Sequence, residues 1–469
     1  MGPVRSESAN SEKTAVLGRG TAATRPLWRV FLAFLGPMLL ANVLQSLSGT
    51  FNVVFIGQML GTHALAAVSA VYPIVFFLIS LVIGIGAGAS VLIGQAWGAR
   101  ELHKVKTIAG TALALGLVVG LAVGLLGATF AEVILRWLGT PADVYDAAVG
   151  YARVMMFAMP GLLFFILATQ LLRGVGDTVT PLYALVVSTA VSAVLTPSFI
   201  RGWGGLPQLG VTSAAVASIC AFVAALLFMA WIMRRKAHPL APDRELLRAL
   251  RIDPRILKLV IRIGLPTGVQ VIVMSVAEIA LVALINRYGA EATAAAGAVN
   301  QVVNYVQFPA LSIAITASIL GAQAIGAGQT QRLGAIAKTA LAINLAITGG
   351  LVLLAYLFSR HLIAAFITTA QVVELAQQLL HIMLWSAVVY GCAAALSGVM
   401  RASGTVLVPT AISIACIVLV ELPAAYGLSG VYGLAGVWMS YPIAFCAMLA
   451  LQTAYYQLVW RKVRIERLV

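Results

Sequence analysis

The run from Thr111 to Ala131 carries no charged side chain, and about 20 apolar residues suffice to cross the hydrocarbon core of a bilayer. A core helix of a soluble protein keeps a polar stripe for water, and no such stripe is present here. Eleven further apolar runs of similar length follow the same pattern. Lipid accepts only segments whose backbone groups are satisfied internally. The alternation of a barrel strand is absent, so the runs must be helices. Composition agrees: 61% of the 469 residues are hydrophobic and 10% charged, against about 45–50% and 25% in a soluble domain.

The runs lie near 29–57, 66–95, 107–131, 144–172, 179–200, 210–233, 257–286, 292–323, 337–358, 373–400, 406–428 and 434–460. The fold expected is an all-α polytopic membrane protein of twelve transmembrane helices in two parallel six-helix repeats. Residues 1–28 read as a cytoplasmic tail with no cleaved signal peptide. Residues 29–234 form an N-terminal lobe, 235–256 a cytoplasmic linker, 257–460 a C-terminal lobe and 461–469 a second cytoplasmic tail.

The formal charge of +15 does not mark a nucleic-acid binder, because the Lys and Arg residues sit between apolar runs rather than along a stripe. With the amino terminus inside, 25 of the 30 face the cytoplasm; Arg136, Arg153, Arg201, Arg287 and Arg360 are the exceptions. The positive-inside rule then places both termini in the cytoplasm, with the chain multi-pass in the plasma membrane. Cys220, Cys392, Cys416 and Cys446 fall inside apolar runs and read as buried thiols. Trp97, Trp137, Trp203, Trp231 and Trp460 lie at span ends, where an aromatic belt is expected.

A shift of 228 residues superimposes Gln95 on Gln323, Gly98 on Gly326, Arg173 on Arg401, Gly176 on Gly404 and Pro181 on Pro409. Because six is even, the second half enters from the same side as the first, as parallel repeats do.

Among the fifteen acidic residues, only Glu278 and Glu421 sit well inside spans. A charge at that depth costs on the order of 2.5–3.5 kcal/mol, so it faces a cavity or a partner. Glu278 ends the row Gln270, Met274, Glu278 on one helical face; Glu421 lies beside the kink-prone Pro423. The first span carries Asn42, Gln45, Gly49 and Asn52 on one side, and the eighth carries Asn300, Asn304 and Gln307. Amides can line a polar cleft or join helices. Asp177 reads as the cap of the fifth span and a neighbour of Arg173, and His381 as a satisfied structural histidine.

The segments GPMLLANVLQSLSGTFNVVFIGQMLGTHALAAVSA, GAGASVLIGQAWGAR and LLRGVGDTVTP in the first half resemble the multidrug and toxic compound extrusion (MATE) family. So do GLPTGVQVIVMSVAE, AAAGAVNQVVNYVQFPALSIAITASILGAQAIGAG and SGVMRASGTVLVP in the second. The resemblance implies a two-lobed antiporter that expels amphipathic, often cationic drugs in exchange for sodium ions or protons. It implies no enzymatic activity and no cofactor or metal beyond sodium at Glu278. By the same resemblance, Glu278 is the coupling-ion ligand, joined by Glu421. Asn52 is the third coupling-ion candidate: its position is an Asp in many members, and an amide can ligate sodium through its oxygen but cannot take up a proton. In the tenth span, where some members carry an acid, WSAVVYGCAAALSG leaves Tyr390 as the nearest polar group, and it joins Asn42, Gln45, Gln270, Met274, Asn300, Asn304 and Gln307 as cleft lining. The expected partners are a small-molecule drug or metabolite and the bilayer, with the chain acting as a monomer. The alternative is a related flippase of a lipid-linked or anionic substrate, which calls for basic residues at mid-membrane depth.

Overall fold

The computed structural model describes residues 26–367 and 369–469. The described chain is helical: α1 (Leu27–Leu60), α2 (Thr62–Gly98), α3 (Leu102–Trp137), α4 (Ala142–Val175), α5 (Val179–Arg201), α6 (Ser213–Arg235), α7 (Arg244–Arg248), α8 (Pro254–Ile285), α9 (Ala290–Gly326), α10 (Leu333–Leu357), α11 (Ser359–Ala364), α12 (Ala370–Met383), α13 (Ser386–Ala402), α14 (Leu407–Ala415), α15 (Leu422–Tyr432) and α16 (Leu434–Leu458). Among the described residues, eleven helices are long and apolar enough to span a membrane, and the pair α12–α13, bent by 40°, makes a twelfth when taken as one span. All twelve expected runs are therefore matched. Trp28 belongs to α1 rather than to the tail, with the Arg29 guanidinium 5.2 Å from its ring. Residues 1–25 of the expected tail lie outside the described residues.

The chain divides into two compact units. One comprises Leu40–Ile93 and Glu101–Leu265; the other comprises residues 26–39, Gly94–Arg100 and Pro266–Val469. The division falls inside α1, α2 and α8 rather than in the 235–256 linker, which packs wholly within the first unit. Pro37 and Pro266 stand beside two of these three points, where a missing N–H loosens the helical ladder.

In the first unit, α3 presents Gly116, Gly120 and Gly124 to α4. A Cβ at Gly120 would lie 2.8 Å from Pro160 Cα, and one at Gly124 would lie 2.9 Å from the Met156 carbonyl. Lipid tails are as apolar as leucine, so close backbone approach through small residues is what holds such helices together. The α4–α5 corner explains the LLRGVGDTVTP segment. Gly176 ends α4 at φ 98°, a left-handed value that suits glycine, and Asp177 then caps α5. Its Oδ1 accepts from the Val179 and Thr180 N–H groups at 3.0 and 2.9 Å, and its Oδ2 from the Thr180 hydroxyl at 2.5 Å. The cap is as expected. The side chain 3.7 Å from Asp177 Oδ2, however, is His238 Nε2 from the linker, while Arg173 donates to Gln170 Oε1.

In the second unit, α10, α12 and α13 pack around α9, and α16 packs against α12, α13 and α15. The α12–α13 break frees carbonyls that lipid cannot hydrate. The Ser386 hydroxyl donates to Met383 O at 2.5 Å, and Tyr356 donates to His381 O at 2.8 Å. The His381 ring meets Ser359 Oγ at 3.1 Å, so it is the satisfied histidine expected. Two expectations are corrected. Only Cys416 among the cysteines is buried, and Cys446 is exposed because its face of α16 points out of the unit. Trp460 is buried, stacked on Tyr456 with its N–H donated to Ser403 Oγ at 3.0 Å, rather than standing in a belt.

Candidate functional site

Span eleven is not a continuous α-helix. Between α14 and α15, Cys416–Glu421 widens into π geometry. Pro423 follows at once; it has no N–H to give and crowds the carbonyl four residues before it, and a wider turn relieves that crowding. π-bulges are rare and recur at functional sites. This one ends on Glu421, which is 6% exposed. Glu278, on α8, is open, although Ala277, Leu281, Leu284 and Ile285 on the same stretch are buried. Glu278 thus lies at the edge of the buried face of α8, beside exposed Val282.

The two acids form one electrostatic group. Glu421 feels the charge of Glu278, and the Tyr441 hydroxyl feels both. Among the described residues, no Lys, Arg or His reaches either carboxylate at ion-pair distance. Two carboxylates without a resident counter-charge attract a mobile cation, whether a metal ion, a proton or an organic cation.

Aromatic rings from α16 stand beside this pair. Trp438, Tyr441 and Phe445 follow one helical face, with ring centroids 5.8 and 6.2 Å apart in succession, and Phe445 meets Tyr390 of α13 at 5.0 Å. Such faces attract cations. Tyr390 is buried at 8%, within the field of Glu421 and Arg401. Behind it is a network that the sequence reading did not name. Asn344 of α10 donates to Val388 O at 3.0 Å and to Cys392 Sγ at 3.3 Å, and accepts from Thr348 at 2.9 Å. Its only sequence signal is a lone amide in an apolar run. Tyr441 was also missed; its signal is the aromatic spacing of three and four with Trp438 and Phe445.

The amide rows fall as follows. On α9, Asn304 is exposed and Asn300 and Gln307 are half-buried, in a helix otherwise mostly enclosed. On α8, Gln270 is half-buried and Met274 is 37% exposed. These five residues lie in the second unit with both acids. Asn42, Gln45 and Asn52 lie in the first, with Gln45 exposed and the other two half-buried. Asn52 Oδ1 accepts from the hydroxyls of Ser192 and Thr196, both at 3.4 Å, which gathers three neutral oxygens and no carboxylate. Among the described residues, no three His, Cys, Asp or Glu side chains gather as a metal cluster.

The MatE family profile matches residues 37–198 and again 266–427, two copies whose starts lie 229 residues apart. The chain belongs to the MatE family. This MatE transporter is 42% identical over 445 residues to the "Probable multidrug resistance protein YoeA" of Bacillus subtilis, with 94% of this chain and 96% of that protein covered. It is 23% identical to the "Multidrug export protein MepA" of Staphylococcus aureus, covering 92% and 94%. In fold it resembles a mutant of the Vibrio cholerae MATE transporter VcmN, with TM-score 0.86, 20% identity and coverage of 94% and 98%. It also resembles a Pyrococcus furiosus MOP superfamily transporter described as having a binding pocket of reversed polarity, with TM-score 0.82, 22% identity and coverage of 92% and 95%.

Proposed function

We propose that this MatE transporter is a secondary active antiporter. It exports amphipathic, cationic small molecules in exchange for sodium ions or protons by alternating access. It works as a monomer in the plasma membrane with both termini in the cytoplasm. The observation that carries the reading is the Glu278–Glu421 pair: two acids in mutual electrostatic reach, with no ion pair to another side chain among the described residues. Competition of a coupling cation and a cationic substrate for one acidic group is the simplest way to make entry of one drive exit of the other. Glu278 is the exchangeable ligand because it is open; buried Glu421 tunes it. Asn42, Gln45, Gln270, Met274, Asn300, Asn304 and Gln307 supply amide and thioether contacts for varied substrates, and Tyr390 supports the site from the core. Asn52 contributes an oxygen and no proton site. The relatives' names, multidrug resistance and multidrug export, support the substrate class. A flippase of an anionic substrate would need basic lining, and the open stripe of α9 carries amides.

The test is dye efflux from proteoliposomes under separately imposed sodium and pH gradients. Glu278→Gln is expected to abolish ethidium efflux under either gradient while leaving expression and the melting temperature unchanged. Full activity in that variant overturns the coupling role.

A further inference from the structure

The linker between α6 and α8 is folded onto the first unit. Leu240, Ala241 and Leu246 are buried, and Arg234 donates through Nε and Nη2 to Pro242 O at 3.1 and 3.0 Å. Thr111 of α3 donates to Arg251 O at 3.1 Å and accepts from the Asp253 N–H at 3.3 Å. Thus held, residues 245–252 separate two cavities of opposite character.

One cavity, of about 270 Å³, is walled only by apolar side chains, among them Leu113, Leu171, Ala230, Leu246 and Leu250. Leu227 and Leu247, 66% and 56% exposed, mark its open side. The other, of about 440 Å³, is lined by His103, Lys106, Glu245, Arg248, Arg251 and Asp253 among others. Its acids are already engaged. Lys106 Nζ donates to Glu245 Oε2 and to neighbouring Asp243 Oδ2, both at 2.6 Å, and Asp253 Oδ1 accepts from the Arg255 N–H at 2.8 Å. Arg248 and Arg251 are exposed and enter no ion pair among the described residues. Counted over this stretch, Lys106, Arg244, Arg248, Arg251 and Arg255 outnumber Asp243, Glu245 and Asp253 by five to three, and Arg248 and Arg251 are the cations that line the cavity without an ion pair among the described residues.

An apolar slot beside a cationic one, with a short amphipathic helix between, matches an acyl chain beside a phosphate. We propose that the two cavities are one site for an anionic phospholipid of the adjoining leaflet. Its phosphate sits against Arg248 and Arg251, and one acyl chain fills the apolar cavity. The lipid thereby fixes the linker that leads into α8, the helix of Glu278. The site rests on the chain being in a bilayer and not on drug efflux, so its test uses lipid retention rather than transport.

Native mass spectrometry of the full-length transporter, delipidated and titrated with dioleoyl phosphatidylglycerol, dioleoyl phosphatidylcholine or inorganic phosphate, reads the site directly. Phosphatidylglycerol is expected to be retained at least about tenfold better than phosphatidylcholine. The double variant Arg248→Gln, Arg251→Gln is expected to lose that preference by roughly fivefold per arginine removed. Ala230→Trp, which fills the apolar cavity, is expected to weaken the lipid and leave any phosphate adduct unchanged. Equal retention of the two lipids, an unaltered preference in the double variant, or full displacement of the lipid by phosphate overturns the proposal. If Ala230→Trp fails to fold, the exposed arginine pair decides alone.

Discussion

Glu421 is 6% exposed and lies within the field of Glu278, so in the proposed mechanism its charge acts on a cation bound at Glu278. A second carboxylate in the same low-dielectric surroundings strengthens the attraction for a cation. Glu421→Gln is therefore expected to leave maximal efflux near normal and to raise the cation concentration needed for half-maximal rate by about tenfold or more. A titration of efflux rate against sodium and proton concentration reads this shift, and an unshifted midpoint would remove Glu421 from the coupling group. Gly391 makes a different kind of demand. A Cβ there would stand 2.1 Å from Asn344 Oδ1, so Gly391→Val must displace the amide that ties α10 to α13. Overpacking and broken buried hydrogen bonds each cost about 1–3 kcal/mol. A melting temperature several degrees below the parent is expected in detergent, and an unchanged one would show that the network yields freely. Both acids were legible in the sequence because a charge inside an apolar run is conspicuous. Asn344 and Tyr441 were not, since one polar side chain becomes a site only through neighbours from other helices.

The linker shows how an element acquires a property that its residues lack separately. His238 is buried, and its Nδ1 accepts from the Leu240 N–H at 3.1 Å, so the proton of the neutral ring sits on Nε2, toward Asp177. Burial holds the ring's pKa below its ordinary 6.5, with Lys236 adding to it and Asp177 pulling the other way. The carboxylate of Asp177 is already taken by the cap of α5, which weakens its pull. The folded state thus prefers the neutral ring. Its contribution is complete above pH 6.5 and declines as pH falls from there toward the lowered folded value. The melting temperature should fall as pH is lowered below 6.5, and by more than in His238→Gln, where this component of the slope is absent. Identical slopes would remove His238 as its source. The sequence placed a linker here from its prolines and charges; the docking of His238 and Leu246 depends on surfaces of α3, α4 and α6 that no local pattern encodes.

Across the whole molecule, the expected orientation is testable by fusion. A green fluorescent protein joined after Arg235 should fluoresce as a cytoplasmic reporter does, and one joined after Arg201 should stay dark; the reverse pattern would invert the topology. Twelve spans, two repeats and the MatE family were all readable from the chain, because lipid forces every backbone hydrogen bond to close within its own segment and so makes span existence a local property. The pairing of Glu278 with Glu421, the π-turn before Pro423 and the division of α1, α2 and α8 between two units were decided only in three dimensions. Helix packing in a membrane has little hydrophobic drive to reveal it in sequence, and it is packing that determines which polar groups meet.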